Sequence, residues 1–182
     1  MNLVKTNISG LFVLSPIIYN DQRGFFTELY NKKNINNLLG DINFVQDNQS
    51  ESFRGVLRGL HFQKPPYSQS KLVFCVKGTV LDVALDLRKN SKTYGHFNTI
   101  ILSGDNKKQL FIPKGFAHGF VVLSESAILS YKVDNYYNPE SESGIIWNDP
   151  DLNIDWKINK NEILISKKDK KLSLFNDFIT PF

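Results

Sequence analysis

Leu72-Val-Phe-Cys-Val76-Lys77-Gly78-Thr79-Val80-Leu-Asp-Val-Ala-Leu-Asp-Leu87 is the stretch that decides the fold. Its second half alternates, with Leu81, Val83, Leu85 and Leu87 on one face and Asp82, Ala84 and Asp86 on the other. A period of two belongs to a strand, and Lys77-Gly78-Thr79 has the chemistry of a hairpin turn. Downstream, the segments 97–102, 109–112, 119–123 and 127–133 repeat the pattern, separated by Gly, Asn, Asp, Ser or Pro. Short strands at this spacing predict an all-β sandwich or small barrel. Upstream, 11–19 reads as strand broken by Pro16, 20–24 as a turn, 25–30 as extended chain and 44–48 as a short strand. Lys32 to Leu39 is the one helix expected before the C-terminus, ended by Gly40.

With 182 residues, the chain is long enough for one domain, 1–182, with a proper core, and no repeat or low-complexity linker divides it. It is 41% hydrophobic, with fourteen Phe and seven Tyr against one Met, and abundant aromatics favour strands. The part carrying Trp147, Trp156 and Leu172-Ser-Leu-Phe175 reads as an appendage packed on the β core. A lone Cys75 excludes an internal disulfide and a thiolate zinc site. The N-terminus lacks the apolar region of a signal peptide, and no run of about 18 apolar residues is present. The expected setting is soluble and cytoplasmic, with no membrane partner. Net charge is +4, and its eighteen Lys scatter without a stripe interleaved with aromatics, which argues against a nucleic-acid partner.

Against that lysine background, Arg54-Gly-Val-Leu-Arg58-Gly-Leu-His61-Phe-Gln-Lys-Pro-Pro66 gathers two of the four Arg and one of the three His. Arginine suits bidentate phosphate recognition and histidine suits proton transfer near neutral pH. A phosphate-bearing substrate and a mobile proton are the chemistry this stretch implies. His96, in Thr-Tyr-Gly-His, reads as an exposed turn residue, and Asp82 and Asp86 stay unassigned.

Gly55, five residues, then His61 resembles the first cupin motif, and Pro113-Lys-Gly-Phe-Ala-His118 resembles the second. The resemblance implies a cupin-type jelly-roll β-barrel with short N-terminal and C-terminal helical segments. Gln63 stands where a second metal-binding histidine would be, and Lys71 where a glutamate would be. An ammonium ion repels a cation, so the expectation is no metal, with a fixed positive charge at the barrel mouth instead. That charge suits an oxygen that becomes anionic during reaction.

Longer motifs run in order along the chain: Arg23-Gly-Phe25-Phe-Thr-Glu28, Gln46-Asp-Asn48, Gly55 to His61, Lys71-Leu-Val, Gln109 to Phe120, Tyr131-Lys, Tyr136-Tyr137 and Gly144 to Pro150. Together they resemble the dTDP-4-dehydrorhamnose 3,5-epimerase family from about residue 3 to about residue 170. The resemblance implies inversion of the centres flanking the ketone of a nucleotide-linked 4-keto-6-deoxy sugar, with no cofactor or metal, by a homodimer in surface-polysaccharide or deoxysugar biosynthesis. It implies His61 as general base, Asp169 as its carboxylate partner, Lys71 beside the C4 oxygen with His118, and Tyr131 as acid. It further implies Arg23, Phe25, Glu28, Gln46, Asn48, Arg58, His118, Tyr137, Glu142 and Lys168 as substrate contacts. Some of those near the N-terminus would reach into the neighbouring subunit's site. Phe74, Gln49 and Ser70 depart from the family pattern in what reads as the sugar or nucleotide region. They leave open dTDP, or a GDP- or CDP-linked sugar such as a heptose. The alternatives are a single-centre C3 or C5 epimerase, a 3,4-ketoisomerase, a non-catalytic sugar-nucleotide-binding cupin and a metal-dependent cupin.

Overall fold

A computed structural model describes all residues, 1–182. Its elements in chain order are β1 (Asn2–Lys5), β2 (Phe12–Ser15), β3 (Ile18–Asp21), β4 (Gly24–Thr27), α1 (Lys32–Leu39), β5 (Gln46–Phe53) and β6 (Val56–Gln63). Then follow β7 (Lys71–Lys77), β8 (Thr79–Asp86), β9 (Phe97–Ser103), β10 (Gln109–Ile112), β11 (Phe116–Val122), β12 (Ser126–Val133), β13 (Glu142–Gly144) and β14 (Leu164–Ile165). The protein is mostly β, as its alternation and aromatic content dictate. One sheet has the order β1-β2-β10-β7-β12-β5, and a second has β13-β6-β11-β8-β9 with β14 added in parallel on β6. The sheets remain separate, without strand pairing from one to the other, so the barrel expectation becomes two open sheets.

Alternation sets the layers. Val73 and Cys75 of β7, Leu110 and Ile112 of β10, and Leu129 of β12 meet Val80 and Ala84 of β8 and Phe116, Phe120 and Val122 of β11 in one core. The opposite phase of β8, with Leu81, Val83 and Leu85, packs under Trp156, Ile163, Phe175 and Phe178 of the C-terminal segment. Ile35 of α1 covers the other flank, against Leu14, Leu72 and Phe111. Because β8 is buried on both faces, Asp82 and Asp86 are fully buried, which alternation alone left undecided.

The helix begins and ends for local reasons. The Asn31 side chain accepts the Asn34 N–H at 3.3 Å, and Gly40, at φ +91°, closes it by donating to the Asn36 carbonyl. The C-terminal segment holds no α-helix; single 3₁₀ turns at Pro139–Ser141, Lys160–Glu162 and Asp169–Lys171 stand there instead. The side chains of Asn138 and Asn159 cap the first two turns, and asparagine favours such caps over a continuing helix. No helix is long and apolar enough to cross a membrane.

Candidate active site

The inward rows of both sheets change character toward one end of the sandwich. Along β8 the inward row runs Val80, Asp82, Ala84; along β11 it runs Val122, Phe120, His118. Lys71 precedes Val73 and Cys75 in phase on β7, and Tyr131 follows Leu129 on β12. Gln46, Asn48, Ser50 and Ser52 form a polar row on β5. Two adjoining clefts open here. The larger, about 520 Å³, is lined by Arg58, His61, Lys71, His118, Tyr131, Glu142, Lys168 and Asp169 among others. The smaller, about 280 Å³, adds Gln46, Asn48, Gln63 and Tyr137 and shares His61, Lys71, Tyr131 and Glu142.

Arg58 and His61 are three residues apart, which on a regular strand would place them on opposite faces. They share a cleft because β6 carries an extra residue: His118 of β11 pairs with His61, but Phe120 pairs with Arg58. Gly59 allows the slip. It sits at φ +128°, and a Cβ there would lie 2.5 Å from the Gly119 Cα and 2.8 Å from the His118 carbonyl oxygen. Gly59→Ala is therefore expected to destabilise the fold by about 2 kcal/mol or more. An unfolding midpoint equal to the parent's would contradict this account of the bulge.

His61 Nε2 lies 2.8 Å from Asp169 Oδ1. The other Asp169 oxygen accepts the Gly59 N–H at 3.3 Å, and Ser166 Oγ accepts the Asp169 N–H at 3.0 Å. Burial alone would raise the Asp169 carboxyl, but the His61 hydrogen bond and charge, with the Gly59 amide, hold it below the ordinary aspartate value. Since a carboxylate only accepts, His61 Nε2 carries the hydrogen and Nδ1 keeps the lone pair of a base. Removal from water pushes the half-buried Lys71 ammonium down to about 8, against the opposing pull of Asp82 and Glu142. Burial raises the Tyr131 phenol, with Arg58 acting in the other direction. His118 is lowered by its burial, although Asp82, 2.9 Å from His118 Nε2, favours its charged form.

At the mouth, one oxygen of Glu142 accepts from Lys168 Nζ at 2.5 Å and from Tyr137 Oη at 2.6 Å. Gln46 and Asn48 are hydrogen-bonded to each other at 2.8 Å, and Gln46 also accepts the Tyr137 N–H at 3.3 Å. Arg58 Nε donates to Ser52 Oγ at 3.1 Å. Eleven residues named from sequence thus line one cleft or the other: His61, Lys71, Tyr131, Asp169, Arg58, His118, Glu142, Lys168, Gln46, Asn48 and Tyr137. Arg23, Phe25 and Glu28 line neither. Arg23 and Phe25 belong to the exposed β3–β4 hairpin, which pairs with no other strand, and Glu28 accepts from Asn31 and Asn34 beside α1.

Other expectations shift. Arg54 leaves the cleft altogether, bonded to Glu162 at 3.1 Å and to the Leu123 carbonyl. Phe74 and Gln49 sit with Ser130 and Lys132 on the outer side of their sheet and line neither cleft, so their departure from the family pattern does not touch it directly. Ser70 is buried, its N–H donated to Asp134. Asp86 is structural: burial would raise it, but Arg88, Ser91 and Thr93 hold it at about 2. Gln63 also lines the smaller cleft and Asp82 bonds His118 behind it; inward phase on a strand is the sequence signal for each. No three His, Cys, Asp or Glu side chains are grouped to hold a metal ion.

The family model described as dTDP-4-dehydrorhamnose 3,5-epimerase matches residues 5–177. The chain belongs to this family. Membership makes it an isomerase, an enzyme of the epimerase type. It is 48% identical over 180 residues to the dTDP-4-dehydrorhamnose 3,5-epimerase of Escherichia coli strain K12, covering 98% of this chain and 97% of that one. The enzyme of the same name from Elizabethkingia anophelis superposes with a TM-score of 0.93 at 51% identity, covering 97% of each chain. A further epimerase structure, from Legionella pneumophila Philadelphia 1 in complex with dTDP-4-keto-L-rhamnose, gives a TM-score of 0.93 at 49% identity over 96% of this chain and 93% of that one.

Proposed function

We propose that this epimerase inverts C3 and C5 of a dTDP-linked 4-keto-6-deoxyhexose through an enolate, without cofactor or metal, on one cupin-type jelly-roll domain. The observation that carries the reading is a histidine and a tyrosine on opposing sheets of one cleft, suited to serve as base and acid: His61, backed by Asp169, on β6, and Tyr131 on β12. A C–H beside a ketone is weakly acidic. His61 Nδ1 takes the proton, and Asp169 stabilises the imidazolium that forms. Negative charge grows on the C4 oxygen, where the Lys71 ammonium meets it. Burial keeps the Tyr131 phenol protonated at neutral pH, so it returns a proton from the other side, with Arg58 offsetting the phenolate charge. Inversion requires that opposition of faces.

The relatives' dTDP substrates support thymidine over GDP or CDP. Gln46, Asn48 and Tyr137 in the smaller cleft suit a base, and Arg58 suits the diphosphate. Arg23, Phe25 and Glu28 fit a homodimer in which the β3–β4 arm completes the neighbouring site; its Phe26 and Tyr19 side chains are 69% and 59% exposed. Incubation with dTDP-4-keto-6-deoxyglucose, followed by NMR of the sugar, tests the reading. Inversion at both carbons is expected. Inversion at one carbon would reduce the enzyme to a single-centre epimerase, and migration of the carbonyl to C3 would replace the reading with ketoisomerisation.

Tyr131→Phe separates the two proton steps. Hydrogen exchange with solvent is expected to survive while conversion to inverted product falls on the order of 10²-fold. Equal loss of exchange and inversion, measured in one reaction, would contradict a purely acid role.

A further inference from the structure

Asp82 is fully buried in an inward row whose neighbours, Val80 and Ala84, are apolar. Its oxygens have a single hydrogen-bond partner, His118 Nε2, at 3.0 and 2.9 Å. Asp86, two turns of the alternation along the same strand, is explained by Arg88, Ser91 and Thr93 around it. Asp82 has no such structural use, and apolar side chains would fill its place with less loss of solvation.

The group that feels this charge is Lys71. It shares the larger cleft with Arg58 and His61 from β6, His118 from β11, Tyr131 from β12, Glu142 from β13 and Asp169 from the C-terminal turn, and Asp82 of β8 lies behind His118, bonded to its ring. Of the three carboxylates, Asp169 is engaged by His61, and Glu142 by Lys168 and Tyr137. Asp82 is bonded only to an imidazole that burial biases toward its neutral form, so its negative charge is left for Lys71. From this arrangement, which rests on the epimerase reading above, we propose that Asp82 is a positioning residue for the reaction: it holds Lys71 as the ammonium ion and commits the His118 Nε2 hydrogen away from substrate.

The test is the pH dependence of kcat with dTDP-4-keto-6-deoxyglucose for the full-length parent, Asp82→Asn and Asp82→Glu. In the parent, activity falls as pH rises through the Lys71 value of about 8. Asp82→Asn removes a charge that favours the ammonium, so its alkaline limb is expected lower by on the order of one pH unit. Its kcat at pH 8 then falls about fivefold with KM little changed, and much of the loss is recovered in more acidic buffer. Asp82→Glu keeps the charge and is expected to keep the parent's limb. An Asp82→Asn limb at the parent's position overturns the proposal, whether kcat is preserved or uniformly reduced. Should Asp82→Asn not fold, His118→Asn decides, because it leaves the carboxylate in place. A limb at or above the parent's position then upholds the proposal, and one displaced downward overturns it. Failure of the parent to invert either centre would instead overturn the epimerase reading, and this inference with it.

Discussion

Replacing His61 by alanine is expected to lower kcat on the order of 10²–10⁴-fold while the protein stays folded. The side chain is half-buried at the cleft and belongs to none of the three apolar clusters, so its loss removes chemistry more than packing. The deficit arises at the first step, so solvent exchange at the sugar carbons is expected to fall as far as inversion does. This distinguishes it from Tyr131→Phe, where exchange persists. An active His61→Ala enzyme, or one that exchanges at the parent's rate, would show that another group is the base. Asp169→Asn offers no clean substitute for this experiment, because Asp169 also caps the Gly59 amide.

Lys71→Met is expected to lower kcat on the order of 10²–10³-fold, the usual cost of removing one preorganised donor from a developing oxyanion. Its effect on stability runs the other way. Burial lowers the Lys71 value to about 8, so the folded chain binds this proton less tightly than the unfolded chain does. The charged form therefore costs stability at all pH values below the folded value, and the cost fades as pH rises toward the unfolded value. Methionine removes that cost and keeps much of the side-chain length, so Lys71→Met is expected to unfold at a temperature equal to or above the parent's at pH 7. Thermal unfolding beside steady-state kinetics checks both halves. A fully active variant would remove Lys71 from the enolate, and an inactive variant that is also unfolded would make its role structural.

These two residues also mark what the amino-acid sequence reveals and what it conceals. Val80 to Leu87 and Lys77-Gly78 read correctly as a strand and a turn, because period and turn chemistry are local. The same locality placed α1 between Asn31 and Gly40. Short strands such as β13 and β14, three and two residues long, offer no period to detect. The slip in β6 is concealed for another reason: it depends on Gly59 meeting Gly119 sixty residues away, and only then do Arg58 and His61 turn the same way. Arg54 is close to them in sequence, but its side chain answers to Glu162, brought near by β14. Asp169 sits in a lysine-rich run that looks like solvated surface, and only the family resemblance pointed to it. Its burial comes from a 3₁₀ turn folded against β6. Asp82 was visible as an aspartate in an alternating strand, but which face was interior depended on the C-terminal segment covering the other one.

The central claim is that one cleft removes a proton beside a ketone on one face and returns one on the other. Solvent deuterium reports on this directly. With dTDP-4-keto-6-deoxyglucose in deuterated water, the parent enzyme is expected to place deuterium at C3 and C5 of the inverted product, and His61→Ala is expected to place almost none. Inverted product that retains its original hydrogens, or a parent enzyme that introduces deuterium at neither carbon, would contradict the account.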